Sequence, residues 1–434
     1  MTRPWAMEAP WRWGLVLAVA LGAGIGAIGA WSLAVLAGVG AAIAVLRDPD
    51  RSGWGVAAYW LTFCVYEVAL DQVLYVPGLF YPFYVAFGLT VLVALLRSRL
   101  VLDPPLVWPT FAFLSVVAVS FKNTTEPLDL NVLQRVVPYL IAPLAALQFA
   151  SRRSLLVAHR AAIVAATATA GWVVIQAFRS GFADRGGITA DPNVASFFIG
   201  LGVAVALADV LASTPGTRRR GYLAIVWTAL ALMVYALVLL ASRGIAIAVA
   251  VSVVAIVIRA TARRPARLAA FAVAVALFAG ATFLPGGDGL LERFSEESVT
   301  TGNARIPVWI GALRYYADGN AWDLALGHGF GSSWTAVQRV YATLTSTHNG
   351  FLQFLVEFGL VGLLAFLVLH LVLVVRSFRV EERFGAPLFG LVIFLLASNM
   401  TLNATDGFMY WTALGVAIAT ATWAQARPPR GGGP

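Results

Sequence analysis

Three side chains in this sequence stand where their chemistry is out of keeping with their surroundings. Arg243 lies in Leu239-Leu240-Ala241-Ser242-Arg243-Gly244-Ile245, with long apolar runs on both sides. Placing an arginine there costs on the order of several kcal/mol unless it faces a polar cavity or an anion. The plainer reading is a tight hairpin whose arginine snorkels to the lipid headgroups. Arg305, in Thr301-Gly302-Asn303-Ala304-Arg305, sits just inside an expected helix start with Asn303 as cap. A guanidinium fork beside a helix N-terminus suits an oxyanion, phosphate above all, although solvated surface arginines are common. His348 stands in Ser346-Thr347-His348-Asn349-Gly350, where a hydrophilic stretch meets a strongly apolar one. A neutral imidazole at such a boundary can take a proton from a hydroxyl near neutral pH, while a lone histidine more often only anchors a hydrogen bond.

Other candidates are weaker. His328, in Gly327-His328-Gly329-Phe330-Gly331, either lines a site or fills a glycine-rich turn. In the stretch from Arg185 to Asn193, Asp191 as cap and Pro192 at the first helical position account for themselves as a helix start. That leaves Arg185 and Asn193 to approach a ligand. His159 lies among arginines and His370 lies inside an apolar run. There is no Walker A sequence and no Gly-x-Ser-x-Gly elbow, so direct ATP use and that serine chemistry are not expected. Glu296 and Glu297 are adjacent and point apart on most backbones; they are not a pair at metal-ligand spacing, so a metal-free site without cofactors is expected.

The elements that must position these groups are set by the solvent. Of 434 residues, 60% are hydrophobic and 12% charged, against about 45–50% and about 25% in soluble domains. A soluble core stops growing at roughly 250–300 residues, so size does not explain the excess. Lipid does, because a bilayer needs about 20 apolar residues per helix, each with its backbone satisfied within the segment. Apolar runs fall at 13–30, 31–46, 54–70, 75–96, 105–121, 132–150, 154–178, 192–212, 221–241, 244–258, 267–284, 350–375, 385–402 and 408–425. The expectation is an all-α, polytopic transmembrane bundle of 12–14 spans. The net charge of +9 comes from arginine, Lys122 being the only lysine, and its clustering between apolar runs points to membrane topology and not to nucleic acid. Alternate connections hold 21 of the 30 basic residues, among them Arg152, Arg153, Arg218, Arg219, Arg220, Arg376 and Arg379. By the positive-inside rule that side is cytoplasmic, with both termini there. The single cysteine, Cys64, allows no disulfide.

Residues 1–284 are thus read as transmembrane helices, 285–349 as an extracytoplasmic loop region, 350–426 as the C-terminal spans and 427–434 as a disordered tail. The loop region is rich in aromatic residues (Trp309, Trp322, Trp334, Tyr315, Tyr316, Tyr341), which favours ordered structure. Its part 303–317 reads as a helix with apolar residues at Ile306, Trp309, Ile310 and Leu313. Arg243, Arg305, His348, His328, Arg185 and Asn193 all fall on the outer side.

These residues resemble a known family. His348-Asn349 followed by Gly359-Leu360-Val361-Gly362 is similar to the His-Asn…Gly-x-x-Gly signature of the O-antigen ligase family of bacterial lipopolysaccharide assembly. Ser242-Arg243-Gly244, then Gly302…Arg305…Trp309, then Gly327-His328-Gly329-Phe330-Gly331 follow in the family's order, and Asp191-Pro192-Asn193 resembles its Pro-Asn helix start. The similarity covers about 185–365. The resemblance implies a membrane-embedded, GT-C-like glycosyltransferase of the bacterial inner membrane, working at the periplasmic face. The donor would be a glycan on undecaprenyl pyrophosphate and the acceptor a sugar hydroxyl of lipid A–core. Arg243 and Arg305 would match the family's pyrophosphate-holding arginines, and His348 its base, with inversion and no metal. Arg185, Asn193, His328 and Asn349 would lie at the substrate.

Rival functions are an O-antigen polymerase, a protein O-oligosaccharyltransferase and, from another class, a lipid-linked glycan transporter. A transporter is expected to show internal repeats and paired polar residues at mid-membrane. This sequence shows no repeat and gathers its polar groups at one face.

Overall fold

The computed structural model describes residues 104–122, 152–182, 192–212, 220–261, 266–286, 289–290, 305–340, 347–380, 382–406 and 408–423. The runs expected at 13–30, 31–46, 54–70, 75–96 and 132–150 lie outside the described residues, as do Arg185, Asp191 and Asn303. Helices α1 (Pro104–Lys122), α2 (Arg152–Arg179), α3 (Pro192–Ala212), α4 (Arg220–Leu240), α5 (Arg243–Thr261) and α6 (Ala266–Ala281) come first. The short helices α7 (Arg305–Ala317), α8 (Ala321–Leu326) and α9 (Ser332–Gln338) follow, then α10 (Gly350–Arg379), α11 (Glu382–Asn399), a 3-10 turn (Ala404–Asp406) and α12 (Phe408–Trp423). Among the described residues there is no strand. Among the same residues four helices, within α2, α3, α4 and α10, are long and apolar enough to cross a membrane. The protein is an all-α polytopic membrane protein.

Helix α3 is central, buried along nearly its whole length, with α2, α4, α5 and α11 packed around it. Lipid gives apolar helices no hydrophobic reason to associate, so close van der Waals approach through small residues does the work. A Cβ at Gly202 would lie 2.2 Å from the Ala166 Cβ, and one at Gly200 would lie 2.9 Å from the Phe394 ring. At the α5–α11 contact, Gly390 faces Ile256, and the Ser252 hydroxyl donates to the Gly390 carbonyl at 2.8 Å.

The ends of the helices fall into two sets. At one, Tyr222 at the start of α4 donates to Asp209 near the end of α3 at 2.7 Å, and the Arg160 guanidinium stands 6.0 Å from the Tyr222 ring. Arg259 at the end of α5 donates to the Ser377 carbonyl at the end of α10. Among the described residues, these arginine-bearing helix ends share one side of the bundle, and the turns carrying Arg243 and His348 belong to the other.

Helix α10 is not one rod. Gly359 has φ 67 and ψ −172, outside the helical region. In a straight helix residues 351 and 366 would stand about 22 Å apart along the axis. Yet the Phe351 and Phe366 rings lie 6.2 Å apart, and Phe354 stacks on Phe366 at 4.4 Å. The first two turns of α10 are thus bent back sharply against the turns that follow. Residues 360–379 still suffice to span, at about 1.5 Å per residue. Phe113 of α1 and Trp411 of α12 join this aromatic layer, 5.5 Å apart and stacked.

A break of this kind frees backbone groups that lipid cannot satisfy. Here the glycine-rich loop after α8 satisfies them. His328 N–H donates to the Val356 carbonyl at 2.9 Å and Gly329 N–H to that of Glu357 at 3.3 Å, while the Ser120 hydroxyl also reaches the Glu357 carbonyl at 2.8 Å. Tyr316 takes a backbone hydrogen bond from Leu360 and gives its own proton to the Leu324 carbonyl. Burial pushes this phenol above its usual pKa, the Leu360 amide pulling the other way, which keeps the donated proton in place. Loop and bend meet backbone to backbone: a Cβ at Gly327 would lie 2.2 Å from the Glu357 oxygen, and one at Gly359 would lie 2.4 Å from the Ala325 oxygen. Both glycines have positive φ.

One polar link lies deep in the bundle. His370 is fully buried, its Nδ1 2.8 Å from the Phe366 carbonyl and its Nε2 2.7 Å from the Tyr410 hydroxyl. A carbonyl only accepts, so Nδ1 carries the ring proton and Nε2 accepts from Tyr410. His370 thereby serves to tie α10 to α12. His159 is likewise buried, on α2.

Gly327→Ala and Gly359→Ala should each destabilise the protein by about 3 kcal/mol or more, from a left-handed alanine and a main-chain clash together. Gly280→Ala on α6, where nothing lies within 4 Å of an added Cβ, should be neutral or slightly stabilising. Apparent melting midpoints of the detergent-solubilised variants check both.

Candidate active site

Arg243 opens α5 after a two-residue turn in which Ala241 has φ 47. The hairpin expected as the plain alternative is therefore present. It is also pinned, because the Ser242 hydroxyl donates to the Asn193 side-chain oxygen, 3.2 Å away on the first turn of α3. Gly244 lets this turn close on the corner between α11 and α12: a Cβ there would lie 2.3 Å from the Thr401 hydroxyl oxygen.

The loop carrying His348 meets the same corner. Gly350 N–H donates to the Leu402 carbonyl at 3.1 Å. The Asn403 side-chain oxygen accepts from Asn349 N–H at 2.8 Å and from the Thr347 hydroxyl at 3.0 Å. Thr401 thus packs against Gly244 of the Arg243 turn, while Leu402 and Asn403 hold the start of α10 and the His348 loop. Asn349 also caps α10, its side-chain oxygen accepting from Leu352 N–H at 3.0 Å. His348 itself has φ 49 and is half-buried.

The third arm comes from α7. Trp309 donates its indole N–H to the Thr347 carbonyl at 2.9 Å. Arg305, four residues earlier, lies one turn away on the same face, since residues four apart are neighbours on a helix. The apolar side chains Ile306, Ile310 and Leu313 point outward and are exposed, whereas Val308 and Ala312 form the buried face. On the inner side Ala312 packs with Leu352 and Val356 of α10, and Trp309, Tyr315 and Tyr316 are partly buried beside them.

Three helix starts therefore meet at one corner, those of α3, α5 and α10, and α7 reaches it through Trp309. Each N-terminus carries roughly half a positive charge and unsatisfied N–H groups. With Arg243 as the first residue of one of them, the corner is suited to a phosphate-bearing anion.

His328 is placed differently. Its ring packs 4.5 Å from Tyr315, with Nε2 3.4 Å from the Tyr316 carbonyl, and Arg339 covers Tyr315 at 4.4 Å. This cluster is at the far end of α7, about 15 Å along the axis from Arg305, where it orients the loop that satisfies the bend. Of the sequence candidates, Arg243, His348, Asn349 and Asn193 lie on the turns and helix starts that meet at the corner, Arg305 stands one turn before Trp309 on α7, His328 lies elsewhere, and Arg185 lies outside the described residues. Sequence reasoning did not single out Asn403 or Trp309 as members of the site. A signal existed for Asn403: a polar run from Ser398 to Asp406 interrupts two apolar spans, which is a strong demand for partners at membrane depth.

Residues 228–367 match the family model described as O-antigen ligase. The match covers about a third of the chain and supports the O-antigen ligase family for that segment. The matched segment contains Arg243, Arg305, His328, His348 and Asn349, and leaves Asn193 and Asn403 on either side. It supports a function of the O-antigen ligase and polymerase type, in a family of membrane glycosyltransferase-like proteins. No curated protein matches the chain.

Trp309→Phe keeps the ring and removes the donor to the Thr347 carbonyl, a loss of about 1 kcal/mol. The variant should melt earlier in detergent with unchanged far-ultraviolet helix content. An unaltered midpoint would show that this bond does not help to seat the loop.

Proposed function

We propose that the protein transfers a glycan from undecaprenyl pyrophosphate to a sugar hydroxyl of lipid A–core, at the periplasmic face of the bacterial inner membrane. The observation that carries this reading is the common corner onto which the Arg243 turn and the His348 loop converge, with α7 tied to that loop through Trp309. The corner lies at the end whose connections are poor in arginine, and the positive-inside rule supports a periplasmic face for that end. The O-antigen ligase family match supports the reaction class.

The acceptor hydroxyl oxygen attacks the anomeric carbon from the side opposite the pyrophosphate. The bond from that carbon to the phosphate oxygen breaks, its electron pair leaves with the lipid pyrophosphate, and the anomeric configuration inverts. His348 takes the hydroxyl proton, a role worth about 10²–10⁴-fold. Arg243 and Arg305, assisted by the helix starts, offset the charge that grows on the departing pyrophosphate. Asn349 fixes the start of α10 beside the base, and Asn193 holds the Arg243 turn through Ser242. Arg185, read from the sequence alone, completes the proposed substrate contacts, whereas His328 packs on Tyr315 away from this corner.

Complementation of a ligase-deleted Gram-negative strain tests this directly. Long-chain glycan should appear on lipopolysaccharide; glycan that lengthens but stays on the carrier lipid would assign polymerase activity instead, and neither outcome would remove the transferase reading in favour of transport. Arg243→Ala, Arg305→Ala and His348→Asn should each lower transfer by about 10²-fold or more while the protein still accumulates in membranes. Asparagine is the sharper test at 348, since it tolerates the left-handed backbone there. Arg→Lys at 243 or 305 should also be poor, because an ammonium cannot grip phosphate in two places. Purified protein should keep full activity in EDTA, and strict dependence on an added divalent ion would overturn the metal-free mechanism.

A further inference from the structure

We infer that Asn403 is a positioning residue for the His348 base, an inference that rests on the transferase reading. His348 occupies a left-handed backbone conformation, φ 49, which costs a non-glycine residue roughly 1–2 kcal/mol. Such a conformation persists only where its surroundings over-determine it. The surroundings of His348 do so through hydrogen bonds to its neighbours. One oxygen of Asn403 accepts from the residues on both sides of His348, the Asn349 amide at 2.8 Å and the Thr347 hydroxyl at 3.0 Å. The neighbouring Leu402 carbonyl holds Gly350, and Trp309 holds the Thr347 carbonyl. Of these four bonds, the two on Asn403 bracket the histidine most closely.

Without that oxygen, the Asn349 amide is left with the Thr347 hydroxyl at 3.3 Å. His348 can then relax to an extended φ, which swings the ring through a large arc about its own backbone. Asn403 touches neither substrate nor the reacting atoms in this scheme; it acts through Thr347 and Asn349. It also lies beyond the family-matched segment, which ends at residue 367, so its role belongs to the α11–α12 corner of this chain.

The test combines steady-state kinetics with hydrogen exchange of the peptide spanning 347–352 in lipid nanodiscs. Asn403→Ala should lose about 10²-fold in kcat, the scale on which a 1 Å misplacement acts, with donor KM changed far less, and exchange at the Asn349 amide should accelerate. Asn403→Asp keeps the acceptor oxygen, so it should keep the amide protected and recover most of kcat, whatever its added charge does to donor KM. Thr347→Val removes the other partner with Asn403 in place, together with the hydroxyl's own bonds to Asn349, and should give a loss of the same kind; should Asn403→Ala fail to fold, Asn403→Ser, too short to reach both groups, takes its place. Unchanged kcat in both Asn403→Ala and Thr347→Val, unchanged exchange, or an aspartate variant as poor as alanine would overturn the inference. If wild-type protein forms no product, the transferase reading fails, and the exchange measurement alone still decides whether Asn403 holds the loop.

Discussion

Lipid offers no hydrogen bonds, and the bend at Gly359 is where this fold confronts that fact most directly. A helix that turns back on itself inside a membrane protein releases carbonyls and amides that must be met by the protein. The backbone of Gly327-His328-Gly329, the Ser120 hydroxyl and the Tyr316 phenol meet them. Each contact comes from a different element, so α1, α7 and the loop after α8 are assembled around a single irregularity in α10. The bent first turns of α10 then present the His348 loop to the α11–α12 corner. Were α10 straight, its N-terminus would stand about two turns further from the aromatic layer of Phe113, Phe366 and Trp411.

The site follows from this geometry. A region proposed to stabilise a departing pyrophosphate needs positive charge that is fixed before the reaction, since preorganised charge costs no rearrangement at the moment of bond breaking. Helix starts supply such charge cheaply, because the dipoles are part of the fold. Asn193, Asn349 and Asn403 supply neutral hydrogen bonding that sets these starts against one another. Neutral amides suit that role because they order the backbone without competing with the arginines for an anion.

Helix existence and extent were legible in the sequence for most of the described bundle. The apolar run 192–212 is α3, 221–241 and 244–258 correspond to α4 and α5 within a few residues, and the break between them at Ala241-Ser242 is where Arg243 suggested it. The bend in α10 was not legible. Apolar residues lie on both sides of Gly359, so hydropathy reads one continuous span, and a lone glycine in a helix is ordinary. The direction in which α7 faces was hidden for a related reason: periodicity identifies an apolar stripe but not whether protein or lipid covers it. His328 illustrates a third limit. Its glycine-rich setting signals a tight backbone, and the structure shows that backbone serving Val356 and Glu357, with the ring spent on Tyr315. Asn403 lay far along the chain from the histidine loop it holds, and spacing along a sequence carries no information about such a pairing.

The seam between Gly327 and Gly359 has an evolutionary corollary. Where two side chains press together, a harmful enlargement of one can be relieved by trimming the other. At this seam the opposing atoms are main-chain oxygen, carbon and nitrogen, and no second-site change can make a backbone smaller. Random mutagenesis should therefore yield suppressors for defects along the ring-packed layer of α10 and none for enlargements at these two glycines.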